Sequence, residues 1–196
     1  GLLMELATHL KDRNNGPNIW ILWVDGEESI PWQWKTDNSE CLHGSRHFVK
    51  VMSKDKTNFP KGLAHRIKAF VLLDLIGSKN IKIDRDKSSN RALSDIFLEA
   101  AKKMGEEKRM FQTASEMTDD HLPFRNQGVK VIDLIDFHFR VPGGSRDPTY
   151  EAWWHTEQDN LEAMDAASLT FAGNLVWNAL PILEEKIFKM KPKDNK

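Results

Sequence analysis

Two adjacent carboxylates, Glu27 and Glu28, close the segment Trp23-Val24-Asp25-Gly26-Glu27-Glu28. Paired carboxylates behind an apolar run suit metal-assisted hydrolysis or group transfer, because one can bind a cation while its neighbour, tuned by that charge, moves protons. Adjacent glutamates are also common on solvated surfaces, so the pair gains meaning from what else the fold brings to it. Three further acids have the right chemistry and a similar setting: Asp74 ends an apolar run, and Asp119 and Asp120 stand just before another.

The elements that must position these groups are legible from periodicity. Leu2, Leu3, Leu6, Ala7 and Leu10 recur at helical spacing, and Asn14 to Pro17 stop that helix. Ile19 to Val24, Ala69 to Leu75 and Val129 to Ile135 are apolar on both faces, the pattern of buried strands in a largely parallel sheet. Between the last two, Leu93, Ile96, Phe97, Ala100, Ala101 and Met104 mark an amphipathic helix. A final helix is predicted from about Ala166 to Met190, with Asp165 or Ser168 as N-cap and Pro181 expected to kink or divide it. Strands alternating with helices imply an α/β, three-layer sandwich with a mostly parallel central sheet flanked by helices. Ligand sites in such folds lie beyond the carboxyl ends of the strands, where Asp25, Glu27, Glu28, Asp74, Asp119 and Asp120 fall.

Bulk properties narrow the function classes. The chain of 196 residues, 40% hydrophobic and 29% charged, has the size of one domain, so residues 1–196 are expected to form a single domain. A net charge of -1, with acids and bases interspersed along the chain, predicts no basic patch for nucleic acid and no cationic face for a membrane. Small-molecule or peptide chemistry is favoured instead. The single cysteine, Cys41, has no internal partner, no apolar run reaches the roughly 20 residues of a membrane span, and no leader-like segment opens the chain.

Five motifs in order resemble the animal-type glutaminyl cyclases and related zinc aminopeptidases. They are the strand-to-loop Asp25-Gly26-Glu27-Glu28, then Gly44-Ser45-Arg46-His47, the core run Val71-Leu72-Leu73-Asp74-Leu75-Ile76-Gly77, Asp119-Asp120-His121-Leu122-Pro123-Phe124, and Trp154-His155-Thr156 with Asp159. The resemblance implies that Glu28 and His155 bind zinc, one hard oxygen and one imidazole nitrogen with positions left for substrate. It makes Glu27 the general base and acid, with Asp74 and Asp119 as active-site acids that share its protons. Trp154, Trp34, Asp120 and His121 are expected near the substrate, His121 being equally compatible with a structural hydrogen-bonding role.

The implied activity is glutaminyl-peptide cyclotransfer, the conversion of an N-terminal glutamine to pyroglutamate with release of ammonia. Zinc-dependent aminopeptidase chemistry uses the same residues, and an inactive peptide-binding fragment is a third reading. Peptide or protein N-termini are the expected partners, without nucleic acid or membrane insertion, and relatives imply a secreted, periplasmic or lumenal location. The family carries a further zinc-binding aspartate ahead of a helix like Gly1-Leu2-Leu3-Met4-Glu5-Leu6-Ala7, so the N-terminal third and first strands of the domain are expected to be missing. Asp133 stands where vertebrate-type cyclases place a histidine; with Asp136 and His138 it otherwise reads as a polar group at a sheet edge. Of the seven tryptophans, Trp32, Trp34, Trp153 and Trp154 lie in predicted loops and could wall a peptide site.

Overall fold

The computed structural model describes residues 1–13, 16–29, 40–140, 145–147, 149 and 151–190. The order is α1 (Leu2–Leu10), α2 (His43–Lys54), α3 (Leu63–Arg66), β1 (Phe70–Asp74), β2 (Ile83–Asp86), α4 (Arg91–Lys103), β3 (Met110–Ser115), α5 (His121–Arg125), β4 (Val131–Ile135) and α6 (Ala166–Lys186). β1 pairs in parallel with β4, placing Leu72 opposite Asp133 and Asp74 opposite Ile135. β2 pairs in parallel with β3, and β2 lies beside β4, so the spatial order is β1, β4, β2, β3.

Strand alternation sorts the two faces. Ile132 and Leu134 of β4, with Val71 and Leu73 of β1, pack under α4 and α6 through Leu93, Ile96, Phe97, Leu175 and Ala179. Val131 and Phe70 point the other way, onto Val49 of α2, Leu63 of α3 and Phe124 of α5, with Phe70 stacked on Phe124 at 4.0 Å. The mixed α/β architecture with parallel strands between helices is the one predicted. Period two along the strands then forces Asp74 and Asp133 onto the α2–α5 face.

α4 starts at Arg91, because Asn90 caps it by accepting from the N–H groups of Ala92 and Leu93, while its own N–H donates to Val131 O at 2.7 Å. α6 begins after Asp165, whose carboxylate accepts from Ala167 N, and it continues through Pro181 without division. Buried Ala179, Ile182 and Leu183 on either side of the proline hold that helix to the core. By length and composition α6 resembles a membrane span, but Phe171, Ala172 and Leu175 are also buried against the domain core.

Three expectations need correction. Ile19 to Val24 is not a strand, and Trp20 and Trp23 are 60% and 63% exposed. An apolar run becomes a strand only when its backbone finds a partner; the paired carbonyls here are those of Asp25, Gly26 and Glu27, which accept from Gly44, His43 and Leu42 at the start of α2. Asp133 and Asp136 are not solvated edge groups, since β4, paired with β1, also packs beside β2 and both acids are fully buried. Charge is segregated rather than interspersed: residues 41–73 carry seven Lys and Arg against one acid, Asp55, and residues 121–132 add two more bases and no acid. Net charge is a sum and is blind to position.

Candidate active site

The acidic loop is held by its backbone. Leu42, His43 and Gly44 donate to Glu27, Gly26 and Asp25 at 2.9, 2.8 and 2.9 Å, laying residues 25–27 across the first turn of α2. Gly44 is required for that approach, because a Cβ there would sit 2.6 Å from the Asp25 carbonyl oxygen. Glu27 is half-buried and Glu28 exposed.

Around Glu27 the strand ends assemble a cluster of acids. Burial, then the charges of Glu28, Asp74 and Asp120, push the Glu27 carboxyl up to about 8. Burial, then Asp74, pushes Asp119 up to about 9, and Asp74 itself is raised mainly by burial while sharing a side-chain hydrogen bond with Asp119. Two carboxyls share such a bond only if one carries a proton, so this pair holds a proton near neutrality. Asp120 is raised by burial despite a hydrogen bond with Ser45 of α2. Asp133, 1% exposed and with neither carboxyl oxygen hydrogen-bonded, is raised well above the ordinary range by burial and then by Asp119 and Asp74.

His155 stands opposite this cluster, its Nε2 3.0 Å from Glu28 Oε1. Its backbone is in the left-handed region at φ 62, as are Leu75 after β1 (φ 46) and Leu42 before α2 (φ 57). Non-glycine residues there carry strain of roughly 1–3 kcal/mol each, and such strain concentrates at functional sites. The segment leading to His155 is positioned by aromatic contacts with the residues after β4: Trp153 meets Phe139 edge-on at 5.3 Å, and Trp154 stacks on Phe137 at 5.3 Å. The Trp154 indole N–H is buried and has no acceptor among the described residues, leaving a donor beside His155.

Arg146 ties the strand ends together beside this region. Its guanidinium pairs with Asp136, reaches Asp84 Oδ1 at 3.3 Å and donates to Lys82 O at 2.7 Å. His138 completes this cluster, with Nδ1 3.1 Å from Asp84 Oδ2 and Nε2 3.2 Å from Ser115 Oγ. Ser78 donates to Asp136 at 2.5 Å.

The structure thus brings Glu27, Glu28, Asp74, Asp119, Asp120 and His155 to one side of the sheet, with Trp154 packed beside His155. Trp32 and Trp34 lie outside the described residues. His121 departs from expectation as a substrate contact, being entirely buried with Nε2 2.6 Å from Ser88 Oγ and 3.3 Å from Asp86 Oδ2, and Nδ1 3.8 Å from Asp133 Oδ2. It sits on the first turn of a helix packed against the sheet, so its ring points into the core. Burial opposes ionisation of Asp86, but hydrogen bonds from His121, Ser88 and Ser89 overrule it and hold that carboxyl well below the usual range. Sequence reading missed Asp84, Asp86 and Arg146. The only signal for the two acids was the short alternation Ile83-Asp84-Arg85-Asp86, too polar to stand out as a strand.

As donors, His155 Nε2 and Glu28 Oε1 converge closely enough to share one cation, the imidazole-and-carboxylate combination that zinc accepts. Among the described residues no third His, Cys, Asp or Glu joins them as a ready-made site.

A parallel sheet between helices, with carboxylates gathered past its strand ends and a histidine facing them, defines the class of α/β metalloexopeptidase-like folds. The chain belongs to peptidase family M28, whose profile matches residues 1–180. It is 29% identical over 184 residues to the glutaminyl-peptide cyclotransferase of Dictyostelium discoideum, which covers 84% of this chain and 47% of that protein. Among solved structures it resembles an Acidobacteriales bacterium glutaminyl cyclase at 34% identity and a TM-score of 0.81, over 94% of this chain and 59% of that one. A Zn-dependent exopeptidase from Parabacteroides distasonis shares the fold at 22% identity and a TM-score of 0.69, over 94% and 60% of the two chains. The chain spans about half the length of the curated relatives it matches.

Proposed function

We propose that this chain carries the acid–base half of a glutaminyl-peptide cyclotransferase, converting an N-terminal glutamine to pyroglutamate. The observation that carries the reading is Glu27, a half-buried carboxyl whose proton affinity is raised to about 8 among three other acids, beside the Glu28–His155 pair. A group poised near neutral pH both accepts and returns a proton efficiently.

In this reaction Glu27 takes a proton from the α-amino group of the substrate. The freed nitrogen lone pair attacks the side-chain amide carbon, closing the five-membered ring, and Glu27 returns its proton to the departing nitrogen, which leaves as ammonia. Asp119 and Asp74, sharing a proton, set how strongly Glu27 holds its own. The free Trp154 indole N–H offers a hydrogen bond to a substrate carbonyl. Glu28 and His155 are the residues assigned to zinc, which when bound supplies Lewis acidity at the amide carbonyl. The fold shared with a Zn-dependent exopeptidase, and membership of a peptidase family, support that cofactor.

The test incubates the chain and its Glu27→Gln variant, with zinc, on a Gln-initiated peptide and on an aminoacyl anilide. Ammonia release with the matching mass loss, reduced about 10²–10⁴-fold in Glu27→Gln, is expected. Anilide cleavage without ammonia release replaces the proposal with aminopeptidase chemistry. Unchanged turnover in Glu27→Gln removes that residue from the mechanism.

A further inference from the structure

A groove between α2 and α5 has a volume of about 630 Å³. Arg46, Lys50 and Lys54, spaced i, i+4, i+8, form one wall along α2, while Leu122, Asn126 and Gln127 contribute from the side of α5. None of these three cations has an acidic partner among the described residues. They belong to a basic stretch of the chain, in which Asp55 is the lone acid between residues 41 and 73 and is occupied by Asn58 and Thr57. One end of the groove adjoins the candidate active site through both of its helices. Leu42, at the head of α2, donates to the Glu27 carbonyl at 2.9 Å, and α5 follows directly on Asp119 and Asp120.

We propose that this groove is a docking site for acidic side chains of a peptide substrate, downstream of the N-terminal residue that enters the active site. The inference rests on the proposed peptide chemistry and adds the substrate class. Unpaired cations lining a concavity raise the local concentration of anionic ligands and steer them, and an arginine offers a carboxylate two parallel hydrogen bonds. The volume lies within the range of ligand pockets. An acidic peptide fits better than a single-stranded nucleic acid, because no Phe, Trp or Tyr lines the groove to stack a base.

Fluorescence anisotropy on the intact chain tests this without requiring turnover. The probes are equal-length labelled peptides beginning with glutamine and carrying either glutamates or lysines downstream, with a labelled oligo-dT as the nucleic-acid probe. The glutamate peptide is expected to bind at least about tenfold more tightly than the lysine peptide, with affinity falling as salt rises. Lys50→Glu/Lys54→Glu, both surface changes, should erase that preference while circular dichroism and Tm show a folded protein. Arg46→Gln should weaken it in part. Equal binding of the two peptides, an unaltered preference in the double variant, or tighter binding of oligo-dT in competition with the glutamate peptide overturns the inference. Ammonia release with no preference for acidic peptides defeats this inference alone. Selective binding of the glutamate peptide without ammonia release defeats the cyclotransferase reading and leaves the groove in place.

Discussion

At the scale of single residues, the unusual quantity is the number of protons the folded chain holds. Asp119, raised to about 9, and Asp133, raised well above its ordinary range, bind protons more tightly folded than unfolded. For a carboxyl whose folded affinity is raised, the folded state keeps the proton that the unfolded chain releases near pH 4. Stability therefore declines as pH climbs from the ordinary carboxylate range towards about 9. Metal-free protein should melt at a lower temperature at pH 9 than at pH 5, measured by calorimetry. Asp133→Asn removes one of these buried acids and should recover roughly 2–4 °C of Tm at pH 9, the equivalent of about 1 kcal/mol for a chain of this size, with a smaller effect at pH 5. An identical pH profile in the variant would show that Asp133 does not take part. The spacing of motifs exposed the acids themselves, but not their proton sharing, because burial and mutual distance are properties of the assembled strand ends.

Among the elements, the segment carrying His155 depends on groups distant in sequence. Arg146 neutralises Asp84 from β2 and Asp136 from the end of β4, both at most 1% exposed. Isolated antiparallel bridges join Arg140 to Ser145 and to Ala152. Removing the cation leaves two carboxylates buried without a counter-charge, so Arg146→Met should cost about 3–5 kcal/mol. It should also release Trp154 from Phe137, which near-UV circular dichroism of the folded variant would detect as a lost aromatic signal. Lysine at this position keeps the charge but not the planar fork, and should restore only part of both losses. If Arg146→Met keeps its aromatic signal and loses only stability, the guanidinium compensates charge without positioning the loop.

For the molecule as a whole, the two strand pairs share one apolar layer beneath α4 and α6, to which Leu134 contributes at 1% exposure. Leu134→Ala should therefore destabilise by about 2–5 kcal/mol, and urea unfolding should remain one transition by both fluorescence and far-UV circular dichroism. Separate transitions would mean that the β1–β4 and β2–β3 pairs fold as independent units.

Local pattern was enough for β1, α4, β4 and α6, because long apolar periods and a capping Asn90 or Asp165 act within a few residues. It drew attention also to Glu27, Glu28, Asp74 and Asp119 at the ends of apolar runs, whereas His155 was reached only through the family resemblance of its motif. It failed for Ile19 to Val24, where strand character depends on a backbone partner that no local window contains. It left His121 between a substrate contact and a structural role, because which face of a short helix meets the sheet is settled by packing. Asp84, Asp86 and Arg146 were hidden for the same reason: a buried ion pair looks like two surface charges until the chain folds them together. The cationic groove lay under a net charge near zero, since attraction depends on where charges stand and the sum over the chain discards that.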